Sequence, residues 1–311
     1  MLKKILKILN KYNSFHILTH KAPDGDALGS SFGLCHAIQT IGKKSQVICE
    51  IPEKFMFLCE NTKNQIVHHP EIIICVDLPD EKLVWPKEKY KNLDVCIDHH
   101  AANKNYAKIT YNNPKAAANT ENVYELIKLM NIKIDSVIAD CIYTGIVTDT
   151  GRFKFSNVTS RTFQITSEIL PKISNFEFIN RTIFDNRSKN YLMIESEVVK
   201  NCEFYFDDKC VLLIISRDLM SKFNVKDEEI SELTSIPMKI SNVQTGVIIK
   251  EKEKNSYKVS IRTSNKSANK ICQEFYGGGH DNAAAFEISG NLTEVKKRIL
   301  KVIKIFIVSK N

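Results

Sequence analysis

The sequence predicts an α/β protein of two domains: a mostly parallel, doubly wound sheet, then a smaller α/β domain, joined by a helical linker. Three observations predict it. Short apolar runs alternate with longer amphipathic stretches over roughly the first 185 residues, as strands alternate with helices. The texture changes after residue 202, where a second set of short apolar runs begins. And 311 residues exceed what one hydrophobic core usually supports.

The opening MLKKILKILNKY sets Leu and Ile at helical spacing among Lys. It describes an amphipathic surface helix and lacks the unbroken apolar stretch of a signal peptide. Phe15 to Thr19, Gln46 to Cys49, Ile72 to Val76 and Val95 to Ile97 read as buried strands, being short apolar runs. Ala27 to Ile41, Asn119 to Met130 and Ser136 to Val147 read as helices. Such alternation calls for a parallel sheet covered on both faces. Residues 187–201 form a linker helix, which divides the chain into domains 1–186 and 202–311. In the second, Val211 to Ile215, Gly246 to Ile249 and Tyr257 to Ile261 are strands, and helices near 267–275 and 292–305 bracket a glycine run.

The formal charge of +8, from 44 basic and 36 acidic side chains, invites an anionic partner. Only seven of the basic residues are Arg, and the heavy use of Lys, Asn and Ile throughout points as well to a compositional bias. Nine Cys include no C-x-x-C pair, and Cys75, Cys96 and Cys141 lie in apolar runs. An odd count of this kind fits buried thiols in a reducing compartment. No segment reaches the roughly 18 apolar residues of a membrane span, so a cytoplasmic protein without membrane contact is expected.

The chemistry gathers at strand ends. After Thr19 come His20, Asp24 and Asp26; after Val76 comes Asp77; after Ile97 come Asp98, His99 and His100; Asp149 follows the helix ending at Val147. In an open α/β sheet, ligands bind beyond the carboxyl ends of the strands. Singly, an Asp there is more often a turn or cap residue, and Asp26 could be an N-cap alone. Adjacent histidines prove little either: His68-His69, before Pro70, reads as solvated loop. Together, however, His20, Asp24, Asp26, Asp77, His99 and Asp149 offer hard oxygens mixed with imidazole and no thiolate, which suits Mn²⁺ or Mg²⁺. Six ligands are too many for one catalytic ion, whereas two ions about 3.5–4 Å apart can share a carboxylate and clamp a phosphoryl group.

The series His20-x-x-x-Asp24-x-Asp26, Asp77, Asp98-His99-His100, Asp149 resembles the four-motif signature of the DHH phosphoesterase family, and Thr148-Asp149-Thr150-Gly151 is similar to its fourth motif. The resemblance implies one ion held by His20 and Asp24, a second by Asp26, His99 and Asp149, and Asp77 bridging them. It implies that Asp98 orients a neighbour and that His100 contacts the scissile phosphate or assists proton transfer.

Near the C-terminus stands Phe275-Tyr276-Gly277-Gly278-Gly279-His280. Consecutive glycines let backbone N–H groups approach a phosphate, or simply form a flexible turn. Arg262 and Ser264, at the end of a strand, could offer a guanidinium and a hydroxyl to the same phosphate. With Gly277, Gly278, Gly279 and His280 they resemble the substrate-binding domain usually fused to DHH cores, of the nanoRNase/pAp-phosphatase type. Two departures bear on substrate preference. Tyr276 stands where relatives carry a further glycine, and either stacks on a base or packs against its domain; Asn119 stands where Ser is common.

The resemblance implies a Mn²⁺-dependent phosphodiesterase for short single-stranded oligonucleotides or small nucleotides, including pAp. The alternatives are hydrolysis of cyclic or linear dinucleotides such as c-di-AMP and pApA, and a nucleotide-binding regulator without activity. A processive nuclease on long strands would want an extended basic channel with stacking aromatics, and the sequence carries no such stripe; an inorganic pyrophosphatase would carry a different second domain. The oligomeric state is open, a homodimer included.

Overall fold

Every strand pair of the first sheet is parallel. The computed structural model describes residues 1–62, 65–227, 229–264, 267–279 and 281–308, and divides into two units, Met1–Asn186 and Arg187–Asn311. The first runs α1 (Leu2–Lys11), β1 (Ser14–Leu18), α2 (Gly25–Thr40), β2 (Lys44–Ile48), α3 (Met56–Asn61), β3 (Ile72–Val76), β4 (Val95–Asp98), β5 (Ile109–Asn112), α4 (Asn119–Leu129), α5 (Ser136–Asp149), α6 (Ser160–Ile169) and α7 (Phe176–Asn180). Its sheet has the order β2-β1-β3-β4-β5, which reverses direction between β1 and β3. That reversal is the topological switch point where open α/β sheets bind ligands.

Side chains alternate between two faces. Phe15, Ile17, Ile74, Val76, Val95 and Ile97 enter one core with apolar residues of α1 to α6, such as Phe32, Tyr124 and Ile142. Leu18, Cys75 and Cys96 face the other way and are covered by Leu78, Val84, Leu93, Tyr90 and Tyr106, from the segment linking β3 to β5. Covering both faces explains why these strands read as near-continuous apolar runs. Strand β5, which the apolar runs did not reveal, is an edge strand with half-buried residues throughout.

The second unit runs α8 (Lys189–Lys200), β6 (Glu203–Tyr205), β7 (Cys210–Ile215), α9 (Arg217–Phe223), β8 (Thr245–Glu253), β9 (Ser256–Thr263), α10 (Ala268–Gln273), β10 (Gly278–Gly279), β11 (Ala283–Ser289) and α11 (Leu292–Val308). Its sheet order is β10-β11-β9-β8-β7-β6, parallel only between β7 and β8. Ile271, Ile299 and Ile303 of α10 and α11 bury one face; Ile194 and Val198 of α8, with Leu233 and Ile236, bury the other.

All nine cysteines are free. Burial pushes the Cys35, Cys49, Cys210 and Cys272 thiols up to about 12. Among the described residues no helix is long and apolar enough to cross a membrane.

Candidate metal centre

Helix α2 begins two residues earlier than its apolar pattern suggests, and this settles the roles of its acids. Asp24 is the N-cap: its Oδ1 accepts from the N–H groups of Asp26 and Ala27, both at 3.0 Å. One oxygen is thereby used locally and Oδ2 is left over. Asp26 lies inside the first turn, fully buried. Its two oxygens accept from Asn119 N at 2.5 Å and Thr120 N at 2.9 Å, so the free N–H groups at the start of α4 point at a carboxylate.

Asp149 does not follow a helix that stops at Val147; it is the last residue of α5. Two glycines bring α5 close to α2. A Cβ on Gly25 would lie 2.4 Å from Thr148 Cγ2, and one on Gly145 would lie 2.6 Å from Asp26 Oδ1. Either would push the two acid-bearing helix ends apart. Asp77, just past β3, adopts a left-handed φ of 52°, a conformation that Asp tolerates better than most residues.

Three overlapping groups result, each with its ligand atoms within 4.8 Å of one another: His20, Asp24 and Asp77; Asp77, His99 and His100; Asp26, His99 and Asp149. His99 Nε2 lies 3.4 Å from Asp77 Oδ1, 3.4 Å from Asp149 Oδ2 and 3.8 Å from Asp26 Oδ2. Its Nδ1–H donates to the Ala116 carbonyl at 3.2 Å, which fixes the tautomer and turns Nε2 toward the carboxylates.

So much negative charge in little water is uncomfortable. Burial pushes the Asp26 carboxyl well above its ordinary range, and the charges of Asp77 and Asp149 add to the shift. The protein around Asp24 raises it too, with Asp77 contributing. Burial lifts Asp149 to about 7. For His99, burial alone would favour the neutral ring, but the Asp77 hydrogen bond and the charges of Asp26, Asp77 and Asp149 outweigh it and push the ring up to about 10. Asp77 Oδ1 is buried without a well-formed hydrogen bond. A buried carboxylate oxygen with imidazole nitrogens at 3.4 and 3.6 Å, a cap with a spare oxygen and an imidazole with its Nδ1 already paired fit divalent cations, which would replace the proton on His99.

Comparison with known proteins agrees with this geometry. Residues 14–146 match the DHH family, N-terminal domain, and residues 208–309 match the DHHA1 domain. The chain belongs to the DHH family. As a DHH phosphoesterase it is similar to the probable bifunctional oligoribonuclease and PAP phosphatase NrnA of Streptococcus mutans, 28% identical over 91% of this chain and 92% of the relative. The NrnA of Thermus thermophilus, a bifunctional oligoribonuclease and PAP phosphatase, is also 28% identical, over 93% of this chain and 89% of its own. An exopolyphosphatase-related protein from Bacteroides fragilis superposes with a TM-score of 0.90 at 26% identity, over 98% of this chain and 96% of that one.

Beside the acids, the DHH motif residues Asp98 and His100 form a pair. Asp98 is fully buried, and its Oδ1 accepts from His100 Nδ1 at 2.8 Å and from the His99 N–H at 2.8 Å; Oδ2 accepts from Asn103 at 2.6 Å. Burial opposes its ionisation, but the His100 and Asn103 hydrogen bonds overcome this and hold the carboxyl below its usual range. The same Asp98 bond raises His100 against the effect of burial.

Several supporting residues carry no motif and escape sequence reading. Asn157 donates to the carbonyls of Ala117 at 2.9 Å and Asp149 at 3.0 Å, tying the end of α5 to the turn that holds His99 and Asp26. Buried Glu121 accepts from Thr162 Oγ1 at 2.7 Å. Asn119 bridges Ser30 and Asn122, and Asn122 reaches the Asp98 carbonyl at 3.1 Å. Asn119 stands out in the sequence only as a departure from Ser, Glu121 only as an acid in the first turn of a predicted helix, and nothing in the sequence singles out Asn157.

In the DHHA1 region, Arg262 lies in β9, half-buried, donating to the Ile261 carbonyl and to Thr234 Oγ1, both at 3.1 Å. No carboxylate pairs with it among the described residues. Burial lowers its pKa, the mark of an unbalanced cation. Ser264 is exposed just past β9, where its N–H donates to the Gln244 carbonyl. Gly278 and Gly279 form the edge strand β10, and Gly279 pairs with Ala284, whose strand pairs in turn with β9. His280 lies outside the described residues.

Proposed function

We infer that the chain is a two-metal phosphodiesterase that removes mononucleotides from very short single-stranded oligonucleotides and also takes the 3′-phosphate from pAp. Mn²⁺ is the preferred ion, with Mg²⁺ a substitute. The observation that carries this reading is the set of three overlapping His/Asp groups at the switch point of the sheet. The oligoribonuclease and PAP phosphatase activities of the two NrnA relatives, which align over nine-tenths of the chain, support the substrate class.

In this reading His20 and Asp24 would hold one ion and Asp26, His99 and Asp149 the other, with Asp77 available to both. The ions supply Lewis-acid stabilisation of the phosphoryl group and activation of water. The protein's own contribution is placement. Backbone N–H groups of α4 hold Asp26 in position, and the Ala116 carbonyl orients His99. Asp98 fixes the tautomer of His100 by occupying Nδ1, which leaves Nε2 for a phosphoryl oxygen or the leaving group. In the second unit Arg262, Ser264 and the glycine run Gly277 to Gly279, with His280 next in sequence, form a phosphate-binding region.

A product profile tests the reading. With Mn²⁺, labelled oligoribonucleotides of two to five residues, pAp and c-di-AMP are compared under the same conditions. Mononucleotides released fastest from dimers and trimers, with phosphate from pAp, are expected. Opening c-di-AMP fastest would make the protein a cyclic-dinucleotide phosphodiesterase, and turnover of none would leave a nucleotide-binding regulator.

A further inference from the structure

Among the described residues Tyr276 is the most exposed large hydrophobic side chain, at 102% of its reference area, and its backbone is left-handed, with φ 59°. Both facts go against its chemistry. Helix α10 ends in a helix-terminating turn in which Tyr276 N–H donates to the Gln273 carbonyl and Gly277 N–H to the Cys272 carbonyl. The left-handed residue of such a turn is usually glycine, because a Cβ there crowds the following carbonyl. A bulky aromatic in this conformation is an outlier, and strained residues gather where a ligand is gripped.

The neighbours sharpen the contrast. Phe275 turns inward and stacks on Phe286, with ring centroids 4.3 Å apart and planes 7° from parallel. Gly277 has no room for a side chain, since its Cβ would lie 2.4 Å from Phe286 Cβ. Anchored on both sides, the turn projects the phenol ring into water next to the edge strand Gly278–Gly279. Packing against its own domain is therefore excluded for Tyr276. An exposed π-face held on a fixed backbone beside the exposed edge strand Gly278–Gly279 is what a nucleobase stacks on, and such stacking tolerates any base.

We propose that Tyr276 is a stacking platform for a nucleobase of the bound nucleotide and so helps to set substrate preference. The inference rests on the nucleotide reading above, but not on hydrolysis. It is tested with a dinucleotide carrying 2-aminopurine next to uracil, whose fluorescence drops when the base stacks on an aromatic ring. Wild-type protein should quench the probe. Tyr276→Gly should lose the quenching and raise KM for dinucleotides roughly tenfold, while its Tm rises by about 2–4 °C as strain is relieved. Tyr276→Asn, which tolerates the left-handed backbone without offering a ring, should lose quenching too, and Tyr276→Phe should keep it. Quenching that survives in the Gly and Asn variants, or is absent from the wild type, overturns the inference. Quenching without cleavage leaves the inference standing and sinks the hydrolytic reading instead.

Discussion

The candidate metal centre of the first unit and the glycine-run region of the second leave charge unbalanced in opposite senses. At the first, four carboxylates converge, and burial together with mutual repulsion drives Asp24, Asp26 and Asp149 toward protonation. In the second, Arg262 is half-buried, and among the described residues its hydrogen bonds go to neutral oxygens. Uncompensated buried charge is expensive, so each region is built for a partner it does not itself contain: cations in one, an anion in the other. The regions also differ in construction. The first is fixed by side chains on five elements, the second mainly by backbone shape.

If that contrast is right, damage to the first should abolish turnover and damage to the second should weaken binding. Asp77→Ala should have the largest effect, a loss of kcat on the order of a thousandfold or more. Circular dichroism should show the fold unchanged, and near-wild-type turnover would break the two-metal assignment. Asn157→Ala removes no ligand, only the clamp between Asp149 and the turn at Ala117. A tenfold to hundredfold weaker activation by Mn²⁺, about what lost outer-shell contacts cost, is expected in a metal titration. An unaltered titration curve would make Asn157 a bystander. Arg262→Ala should raise KM about tenfold at little change in kcat, since it removes charge-assisted hydrogen bonds to a non-reacting phosphate. A collapsed kcat with constant KM would move Arg262 into the chemistry and erase the distinction.

The smallest effect is on stability. In metal-stripped protein Asp149 stands at about 7, above the roughly 3.9 of an unfolded Asp. The folded state therefore holds its proton more tightly. That contribution is complete below about pH 4 and is lost as pH rises through about 7. His99, at about 10 against roughly 6.5 unfolded, has the same sign: full below 6.5, lost as pH rises through about 10. The Tm of metal-stripped protein should thus fall from pH 4 to 7, and Asp149→Asn should flatten that slope. An identical slope in the variant would place the charge strain elsewhere.

What was legible in the sequence follows the same divide. The three central strands of the first sheet, β1, β3 and β4, are covered on both faces and so spell themselves as apolar runs, and acids at their ends stand out against that background. Asp149 was found, but its place inside α5 was not, because Thr148, Asp149 and Thr150 look like a loop once the apolar pattern stops. Strand β11 was missed because it opens Ala283-Ala284-Ala285, and Ala has little strand preference. The structure supplies the reason for the small residues: a Cβ at Gly279 would lie 2.6 Å from Ala284 Cα, so the glycine strand and the alanine strand lie close together. Asn157 acts through two backbone carbonyls, and a contact of that kind leaves no trace in residue type or spacing.

The free cysteines give the molecule a built-in clock. Six thiols, from Cys35 to Cys141, lie in the first unit and three, Cys202, Cys210 and Cys272, in the second. A thiol such as Cys35 or Cys210, wholly shielded and held largely in its unreactive protonated form, meets an alkylating reagent only while its surroundings are open. Timed alkylation read by peptide mass spectrometry would then record how often each unit opens, separately and without any added label. Repeating it with Mn²⁺ should slow the Cys35 and Cys141 clocks, which tick in the two helices that converge on the acids, and leave that of Cys210 running at its own pace.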